Sequence, residues 1–206
     1  MEAVRRVLAI ILVIGMPPAV TFWLLVHPLA SFWRRLGPGW AYTILAGAEI
    51  ALAGFLFLLR DTLVGRDLGT RWPLIAVGVL LYVGSLWLSV LTKRQLPMSV
   101  FAGVPEVSSG TYPGRLLQRG VYAVIRHPRY ASVMLGTIGF ALAVNYAGSY
   151  VVVGISLLLL WPVIVLEERE LAARFGAEYG AYRRRTPALL PYRLLGRWSS
   201  GRRRTR

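Results

Sequence analysis

ASVMLGTIGFALAVNYAGSYVVVGISLLLLWPVIVL, residues 131–166, consists of two apolar arms separated by a short turn. The first arm runs from about Ala131 to Asn145, and the second runs from about Tyr150 to Leu166. As helices, the arms each rise roughly 22–25 Å, so arms of equal length return the chain to the membrane face that it left. We therefore predict a helical hairpin that brings the residues on its two flanks close together.

Polar and titratable residues stand on both flanks of this hairpin. Arg-His-Pro-Arg-Tyr, residues 126–130, precedes the first arm, and Glu167 and Glu168 follow the second arm. Such residues at the mouth of a membrane hairpin are a candidate functional site. The first flank also has a structural interpretation. His127 precedes Pro128, which favours an extended backbone, and its ring could bond a backbone carbonyl at the interface.

The two glutamates also have structural interpretations. Glu167 lies one turn from Val163 and Leu171, which places it on an apolar face of the helix. A carboxylate there requires a cation, and an ion pair with a loop arginine such as Arg126 would satisfy it. Glu168, with charged neighbours, fits a solvated position on the surface.

The composition is that of a membrane protein. Of 206 residues, 56% are hydrophobic and 16% are charged, and the apolar residues occur in blocks of membrane length. The net charge is +15, but the arginines lie in loops and at the tail, which favours a membrane protein over a nucleic-acid-binding protein. The sequence contains no cysteine and two distant histidines, so we predict no metal centre.

We predict an all-α, polytopic fold with about five transmembrane helices. The sequence is interpreted as one integral membrane domain, residues 1–206, with three N-terminal spans in 1–91. Residues 92–198 hold a long loop, the hairpin with the candidate site and a C-terminal cytoplasmic helix, and 199–206 form a basic tail. The predicted spans are Val7–Val26, Trp40–Leu59, Trp72–Leu91 and the two hairpin arms.

Arginine counting predicts the orientation. The hairpin turn, residues 146–149, carries no basic residue, whereas the long loop before the hairpin and the tail after it are rich in arginine. By the positive-inside rule, the loop, the tail and the candidate site are cytoplasmic. With five spans the N-terminus is then outside. Glu49, near the middle of the second span, is a second candidate functional carboxylate, and a protonated group bonded to a neighbouring helix is the equal alternative.

The C-terminal pattern resembles a known family. R-H-P-x-Y, a hairpin, and E-E-x-x-L-x-x-x-F-G-x-x-Y-x-x-Y-x-x-x-x-P are similar to the isoprenylcysteine carboxyl methyltransferase family and to the wider group that includes membrane phospholipid N-methyltransferases. The resemblance covers roughly the last ninety residues. It implies an integral membrane enzyme that uses S-adenosylmethionine, held at the cytoplasmic face, with a lipophilic acceptor and membrane lipids as its partners.

The resemblance also implies which residues bind the cofactor, whereas it identifies no catalytic residue. By position, the matching residues are Tyr122, His127, Pro128, Arg129, Tyr130 and Glu167, with Glu168 beside them, and the less closely matched stretch Arg115, Leu116 and Leu117. The chemistry agrees, because a carboxylate can take the amino group of S-adenosylmethionine and apolar side chains can hold its adenine. The chain has no Gly-rich loop after a strand, which excludes a Rossmann-type methyltransferase.

One departure concerns the acceptor. In the prenylcysteine enzymes an arginine one turn before the matched glutamate binds the substrate, and here that position is Val163. Val163 and Glu49 are therefore the candidate substrate-binding positions, and a free carboxylate acceptor is disfavoured. A phospholipid N-methyltransferase and a small-thiol S-methyltransferase remain open. A sterol-reductase-like enzyme that uses NADPH and an inactive membrane scaffold are the alternatives of other classes. The methyl acceptor and the oligomeric state stay undetermined.

Overall fold

The computed structural model describes residues 1–96, 104–107 and 116–192, and these residues are predominantly helical. Four helices are long and apolar enough to cross a membrane, and a fifth apolar helix is shorter. The prediction of an all-α protein with about five spans is confirmed at this level. The predicted site residue Arg115 and the tail 199–206 lie outside the described residues. The elements are α1 (Glu2–Val26), α2 (Ala30–Leu36), α3 (Pro38–Leu58), α4 (Arg60–Val64), α5 (Trp72–Lys93), α6 (Val104–Val107), a 3₁₀ turn (Gly120–Ala123), α7 (Pro128–Val144) and α8 (Ala147–Arg185).

The predicted hairpin is formed by α7 and α8, and its turn lies beside the N-terminus. The backbone N–H of Leu68 donates to the carbonyl of Asn145 over 3.1 Å, and that of Ala147 donates to the carbonyl of Arg66 over 3.0 Å. The loop between α4 and α5 therefore covers the hairpin turn. We call this end of the bundle the turn end, and the opposite end, which holds residues 116–127, the site end.

Arg5 ties the N-terminal helix to the turn end. Its Nε donates to the carbonyl of Val144 over 2.9 Å, its Nη1 donates to Thr70 Oγ1 over 2.8 Å, and it forms an ion pair with Asp67. The last carbonyls of a helix lack intrahelical partners, so a buried guanidinium can satisfy them at the end of α7. Arg5 is 4% exposed, and its charge is therefore not a free loop charge of the kind that the positive-inside rule counts.

The closest approach of α5 to α7 depends on small residues. A Cβ atom added to Gly139 would lie 2.5 Å from the carbonyl oxygen of Gly78, and one added to Gly136 would lie 2.6 Å from Ser85 Oγ. The Ser85 hydroxyl donates to the carbonyl of Ser132 over 2.8 Å. Small residues that let two backbones approach are typical of helix pairs in membranes. The first arm of the hairpin, α7, therefore packs tightly on α5 in addition to pairing with α8.

The central core is built from α1, α7 and α8, whereas α3 and α5 present apolar side chains outward. Val13, Val144 and Val163 are each at most 1% exposed in the core cluster. Ile50 on α3 and Leu80 on α5 are 73% and 71% exposed. Apolar side chains facing outward on helices of this length suit contact with lipid tails.

Candidate functional site

The site begins where α7 starts. His127 is the residue before the first helical position, and Pro128 occupies that position, where its missing N–H costs nothing. The backbone N–H groups of Arg126 and His127 donate to the carbonyls of Pro187 (2.8 Å) and Ala188 (2.9 Å). The segment after α8 therefore holds the residues before α7 by two backbone bonds. Helix α8 ends at Arg185, two residues before Pro187, which cannot continue a helix.

The flanks of the hairpin meet at His127. Its Nε2 lies 3.1 Å from Glu168 Oε1, and its Nδ1 lies 3.7 Å from Glu167 Oε2. The His127 side chain is 2% exposed. The predicted approach of His127 to the two glutamates is confirmed, and the imidazole lies between two carboxylates of one helix.

Glu168 is held on several sides, and its interpretation as a solvated surface residue is wrong. Arg126 approaches its Oε1 to 2.5 Å and Arg183 approaches its Oε2 to 3.5 Å, and the Glu168 side chain is 13% exposed. Burial acts to raise the pKa of Glu168, but the hydrogen bonds and charges of His127 and Arg126 outweigh it and lower that pKa to about 2. Glu168 is therefore an anion that stabilises this end of the fold.

Glu167 differs from its neighbour. Its Oε2 atom is buried and has no hydrogen-bond partner among the described residues. The alternative interpretation, an ion pair with Arg126, is not what the structure contains, because Arg126 bonds Glu168 instead. A buried carboxylate oxygen without a donor is costly, and it is suited to a cationic ligand.

Tyrosines surround the two glutamates. The Tyr182 hydroxyl donates to the backbone carbonyl of Tyr122 over 2.6 Å, and both side chains are buried. Burial raises the pKa of Tyr122 and of Tyr182. Burial and the neighbouring Glu168 charge raise the pKa of Tyr179 to about 12. All three phenols are therefore neutral at physiological pH and are buried at the site end.

Arg129 and Tyr130 extend the site toward the first helix. The Arg129 guanidinium lies 4.0 Å from the centroid of the Trp23 ring of α1. The rings of Tyr130 and His127 are 5.8 Å apart. The predicted residues from Tyr122 to Tyr130 thus occupy one end of the bundle. Arg129 is shared with α1, which carries none of the motif.

The other predicted residues are placed elsewhere. Leu116 and Leu117 line a pocket of about 320 Å³ together with Gln118 and Arg119. Glu49 accepts a hydrogen bond from the Thr21 hydroxyl of α1 over 3.0 Å, which fits the alternative of a carboxyl group bonded to a neighbouring helix. Val163 is fully buried in the core cluster, so its contact with an acceptor stays a prediction.

A glycine break in α8 shapes the site end. Gly176 has φ 51° and ψ −123°, and no other atom lies within 4 Å of a Cβ placed there. A glycine is needed here for this backbone conformation, which a side chain disfavours. Beyond the break, Glu178 accepts a hydrogen bond from Gln118 over 2.8 Å. Together with the Tyr182–Tyr122 bond, this contact folds the last turns of α8 over residues 116–122.

Gly176→Ala is expected to destabilise the protein by about 1–3 kcal/mol, because alanine must adopt a strained backbone conformation. Gly180→Ala, four residues later in a regular helical turn, is the matched control and is expected to be neutral or to stabilise by up to about 1 kcal/mol. Unfolding in mild detergent, followed by circular dichroism, measures both. Equal effects of the two substitutions would show that the break at Gly176 carries no conformational requirement.

The lowered pKa of Glu168 predicts a loss of stability in acid. The group has an ordinary pKa of 4.5 and a folded-state pKa of about 2, so its contribution is complete above pH 4.5 and is lost as the pH falls toward 2. From pH 5 to pH 3 the wild type is expected to lose about 2 kcal/mol more than Glu168→Gln. Urea unfolding at both pH values tests this, and parallel losses in the two proteins would contradict it.

Two residues at this end, Trp23 and His27, were not predicted from the sequence as part of the site. Trp23 and His27 end α1, and His27 Nδ1 lies 3.8 Å from Glu170 Oε2 of α8. The Trp23 and His27 rings are 5.4 Å apart. About a hundred residues separate them from the motif, and only an aromatic and a histidine four residues apart at the end of an apolar span hinted at a role.

The fold and site together define an apolar helical protein with a polar, carboxylate-rich site at one end of a hairpin. The chain belongs to the phospholipid methyltransferase family, whose model matches residues 73–178, so the resemblance found in the sequence is confirmed. The match covers α5, α7 and α8 up to Glu178 and includes the residues of the site from Tyr122 to Glu170. The family indicates a membrane methyltransferase.

Two curated relatives are named for metal resistance. The chain is 31% identical over 146 residues to the cobalt-zinc-cadmium resistance protein CzcN of Cupriavidus metallidurans, covering 70% of this chain and 63% of that protein. It is 28% identical over 112 residues to the nickel-cobalt-cadmium resistance protein NccN of Alcaligenes xylosoxydans xylosoxydans, covering 54% of this chain and 50% of that protein. The chain thus spans less than two thirds of the length of either relative. No solved structure matches.

Proposed function

We propose that this protein is an S-adenosylmethionine-dependent membrane methyltransferase that acts on a lipophilic acceptor. The observation that carries the proposal is the buried Oε2 of Glu167, which has no hydrogen-bond partner among the described residues and lies in the family-matched region. An ammonium group suits such an oxygen best, because it donates a charge-assisted hydrogen bond to the carboxylate. The amino group of S-adenosylmethionine supplies that cation.

The remaining residues fit a division of roles around Glu167. Glu168 is occupied by Arg126 and His127, so we assign it the role of fixing those side chains rather than of contacting the cofactor. Tyr122 and the leucines at 116 and 117 offer apolar surface for an adenine ring. S-adenosylmethionine, when bound, supplies a methyl carbon activated by a sulfonium. The protein has to align the acceptor and exclude water, which requires few catalytic groups.

A groove between α1, α5 and α7 is our candidate for the acceptor tail. It has a volume of about 340 Å³ and starts at Ser132, close to the first turn of α7. It continues along α7 to Phe140 and is walled by Leu12 and Met16 of α1 and by Tyr82 of α5. A mainly apolar groove bordered by α5, which presents apolar side chains outward, suits an acyl or prenyl chain entering from the bilayer.

Titration and transfer assays test the function. Isothermal titration of the purified protein with S-adenosylmethionine and with NADPH separates the methyltransferase from the reductase-like alternative. Transfer of label from radioactive S-adenosylmethionine to a whole lipid extract then identifies the product. Binding of NADPH without binding of S-adenosylmethionine would refute the proposal.

The metal-resistance names describe the relatives, and no observation here favours a metal site. Within residues 1–96, 104–107 and 116–192, no group of three or more His, Asp or Glu side chains is placed to hold a metal ion. The polar residues that lie together are His127 and Glu167, and our proposal is based on this site.

We further propose that the site end faces the cytoplasm, because the loop and the tail near it are rich in arginine. Thr62 at the turn end and Ala123 at the site end are both exposed, and the chain has no native cysteine. On intact cells, an impermeant thiol reagent is expected to label Thr62→Cys but not Ala123→Cys. Ser149 in the turn is unsuitable because it is fully buried. Labelling of Ala123→Cys alone would reverse the orientation.

A further inference from the structure

His27 and Glu170 form a second histidine–carboxylate pair at the site end. His27 Nδ1 lies 3.8 Å from Glu170 Oε2, and the His27 side chain is 4% exposed. The His27 ring also packs at 32° against Trp23, and the Arg129 guanidinium lies over the same indole ring. The charged groups around this ring thus include Glu170 from α8 and, across the Trp23 ring, Arg129 from α7.

The pair lies at the level of the cofactor-binding candidates. Helices α1 and α8 run in the same direction, because Arg5 lies at the hairpin turn and His27 lies beside Glu170. Spacings of three and four place Val163, Glu167 and Glu170 on one face of α8. The same spacings place Val20, Trp23 and His27 on one face of α1, and both valines belong to one core cluster. Glu170 therefore follows Glu167 on the face that meets α1.

We propose that His27, with the Glu170 carboxylate beside it, accepts the proton that the methyl acceptor loses. This inference rests on the proposed function and deepens it. A histidine beside a carboxylate is a common arrangement for a general base, because the negative charge stabilises the protonated ring. The pair is contributed by α1 and by the face of α8 that carries Glu167, so it is separate from the His127 pair.

A proton acceptor defines the chemical class of the substrate. The acceptor is a lipophilic molecule whose nucleophilic atom carries a dissociable proton, such as a thiol, a phenol or a protonated amine, and it is not a carboxylate. The S–H, O–H or N–H bond breaks and its proton goes to His27. The electron pair of the acceptor atom forms the new bond to the methyl carbon, and the bond from that carbon to sulfur breaks with its pair left on sulfur. Val163, where the prenylcysteine enzymes have a carboxylate-binding arginine, agrees with this class.

The first test does not depend on activity. The chain has two histidines, so a protein labelled with ¹⁵N-histidine in detergent micelles gives ring signals from two imidazoles, which His27→Gln and His127→Gln assign. The His27 signal is expected to titrate reversibly between pH 5 and pH 9. Glu170→Gln is expected to lower its midpoint by about one pH unit, because an opposite charge is removed. A His27 ring that stays in one protonation state over this range overturns the proposal.

The second test measures methyl transfer to a whole lipid extract against pH. His27→Gln is expected to lower the rate at pH 7 by about 10²–10⁴-fold and to recover as the pH approaches the ionisation of the acceptor itself. Its affinity for S-adenosylmethionine, measured by titration, is expected to stay within about twofold of the wild type, which also verifies folding. Glu170→Gln is expected to shift the pH profile in the same direction as the histidine signal.

The outcomes separate the two proposals. If the wild type binds no S-adenosylmethionine, the proposed function fails and the role of His27 fails with it. If the wild type binds the cofactor and methylates lipid, but His27→Gln lowers the rate by the same factor at every pH, only the proton-acceptor role fails. A labelled product that is a carboxyl methyl ester would also refute only the proton-acceptor role, because a carboxylate acceptor loses no proton at neutral pH.

Discussion

Glu167→Gln is expected to lower the affinity for S-adenosylmethionine by about 10- to 150-fold, as measured by isothermal titration. The substitution keeps the shape of the side chain but removes the charge that would face the amino group of the cofactor. A charge-assisted hydrogen bond of this kind contributes about 1.5–3 kcal/mol, which corresponds to this range of affinities. Folding is expected to persist, because the buried Oε2 of Glu167 has no hydrogen-bond partner among the described residues.

Two further variants give this result its meaning. Asp61→Asn removes a carboxylate that is 62% exposed and pairs with Arg6 at the turn end, so its affinity for the cofactor is expected to equal that of the wild type. Glu168→Gln is expected to lower the stability of the fold more than the affinity for the cofactor, since the Glu168 carboxylate binds Arg126 and His127. If Glu167→Gln keeps wild-type affinity while Glu168→Gln loses it in a folded protein, the roles that we assign to the two glutamates are reversed.

Long-chain acceptors are expected to exceed short, water-soluble analogues in kcat/KM by several orders of magnitude. Each buried CH₂ group contributes about 0.8 kcal/mol, and the groove between α1, α5 and α7 offers apolar walls along α7 from Ser132 to Phe140. The measurement uses one headgroup carrying chains of 2, about 8 and about 14 carbons, in detergent or nanodiscs. Equal turnover of the shortest and longest acceptors would exclude binding from the bilayer.

The groove itself is tested by filling it. A Cβ at Gly136 of the groove would lie 2.6 Å from the flexible end of the Ser85 side chain, so Gly136→Ala tightens the α5–α7 contact at that point. It is expected to reduce kcat/KM for long acceptors more than for short ones. Gly154→Ala on α8, where a Cβ meets nothing within 4 Å, is the matched control and is expected to leave the chain-length preference unchanged. A uniform loss for all chain lengths would place the acceptor elsewhere.

The hairpin and its flanks were predictable because their information is local. Two apolar arms of equal length dictate that residue 127 meets residue 167, and Pro128 and Pro187 mark helix boundaries by sterics alone. The choice of partners was not predictable. Arg126 reaches Glu168 rather than Glu167 because the backbone bonds to Pro187 and Ala188 fix where its side chain starts, and those bonds join segments sixty residues apart.

The contribution of the first helix was also beyond the sequence. Trp23 and His27 belong to a span without any motif, and their approach to Arg129 and Glu170 follows from the parallel packing of α1 on α8. That packing depends on the Arg5 hydrogen bonds at the turn end and on how the core side chains fit together. Neither of these produces a periodic pattern in the sequence. Gly176 was visible as a glycine, but its positive φ was not.

The backbone bonds from residues 126 and 127 to Pro187 and Ala188 have a consequence for biosynthesis. The ribosome makes the hairpin, and the spans can insert, well before residue 188 leaves the exit tunnel. The nascent chain therefore contains all its spans before the site at the end of the hairpin is complete. Membrane insertion can thus precede ligand binding during synthesis. A chain that stops after Arg185 would enter the membrane with all its spans, yet it would lack Pro187 and Ala188, whose carbonyls hold the backbone at His127.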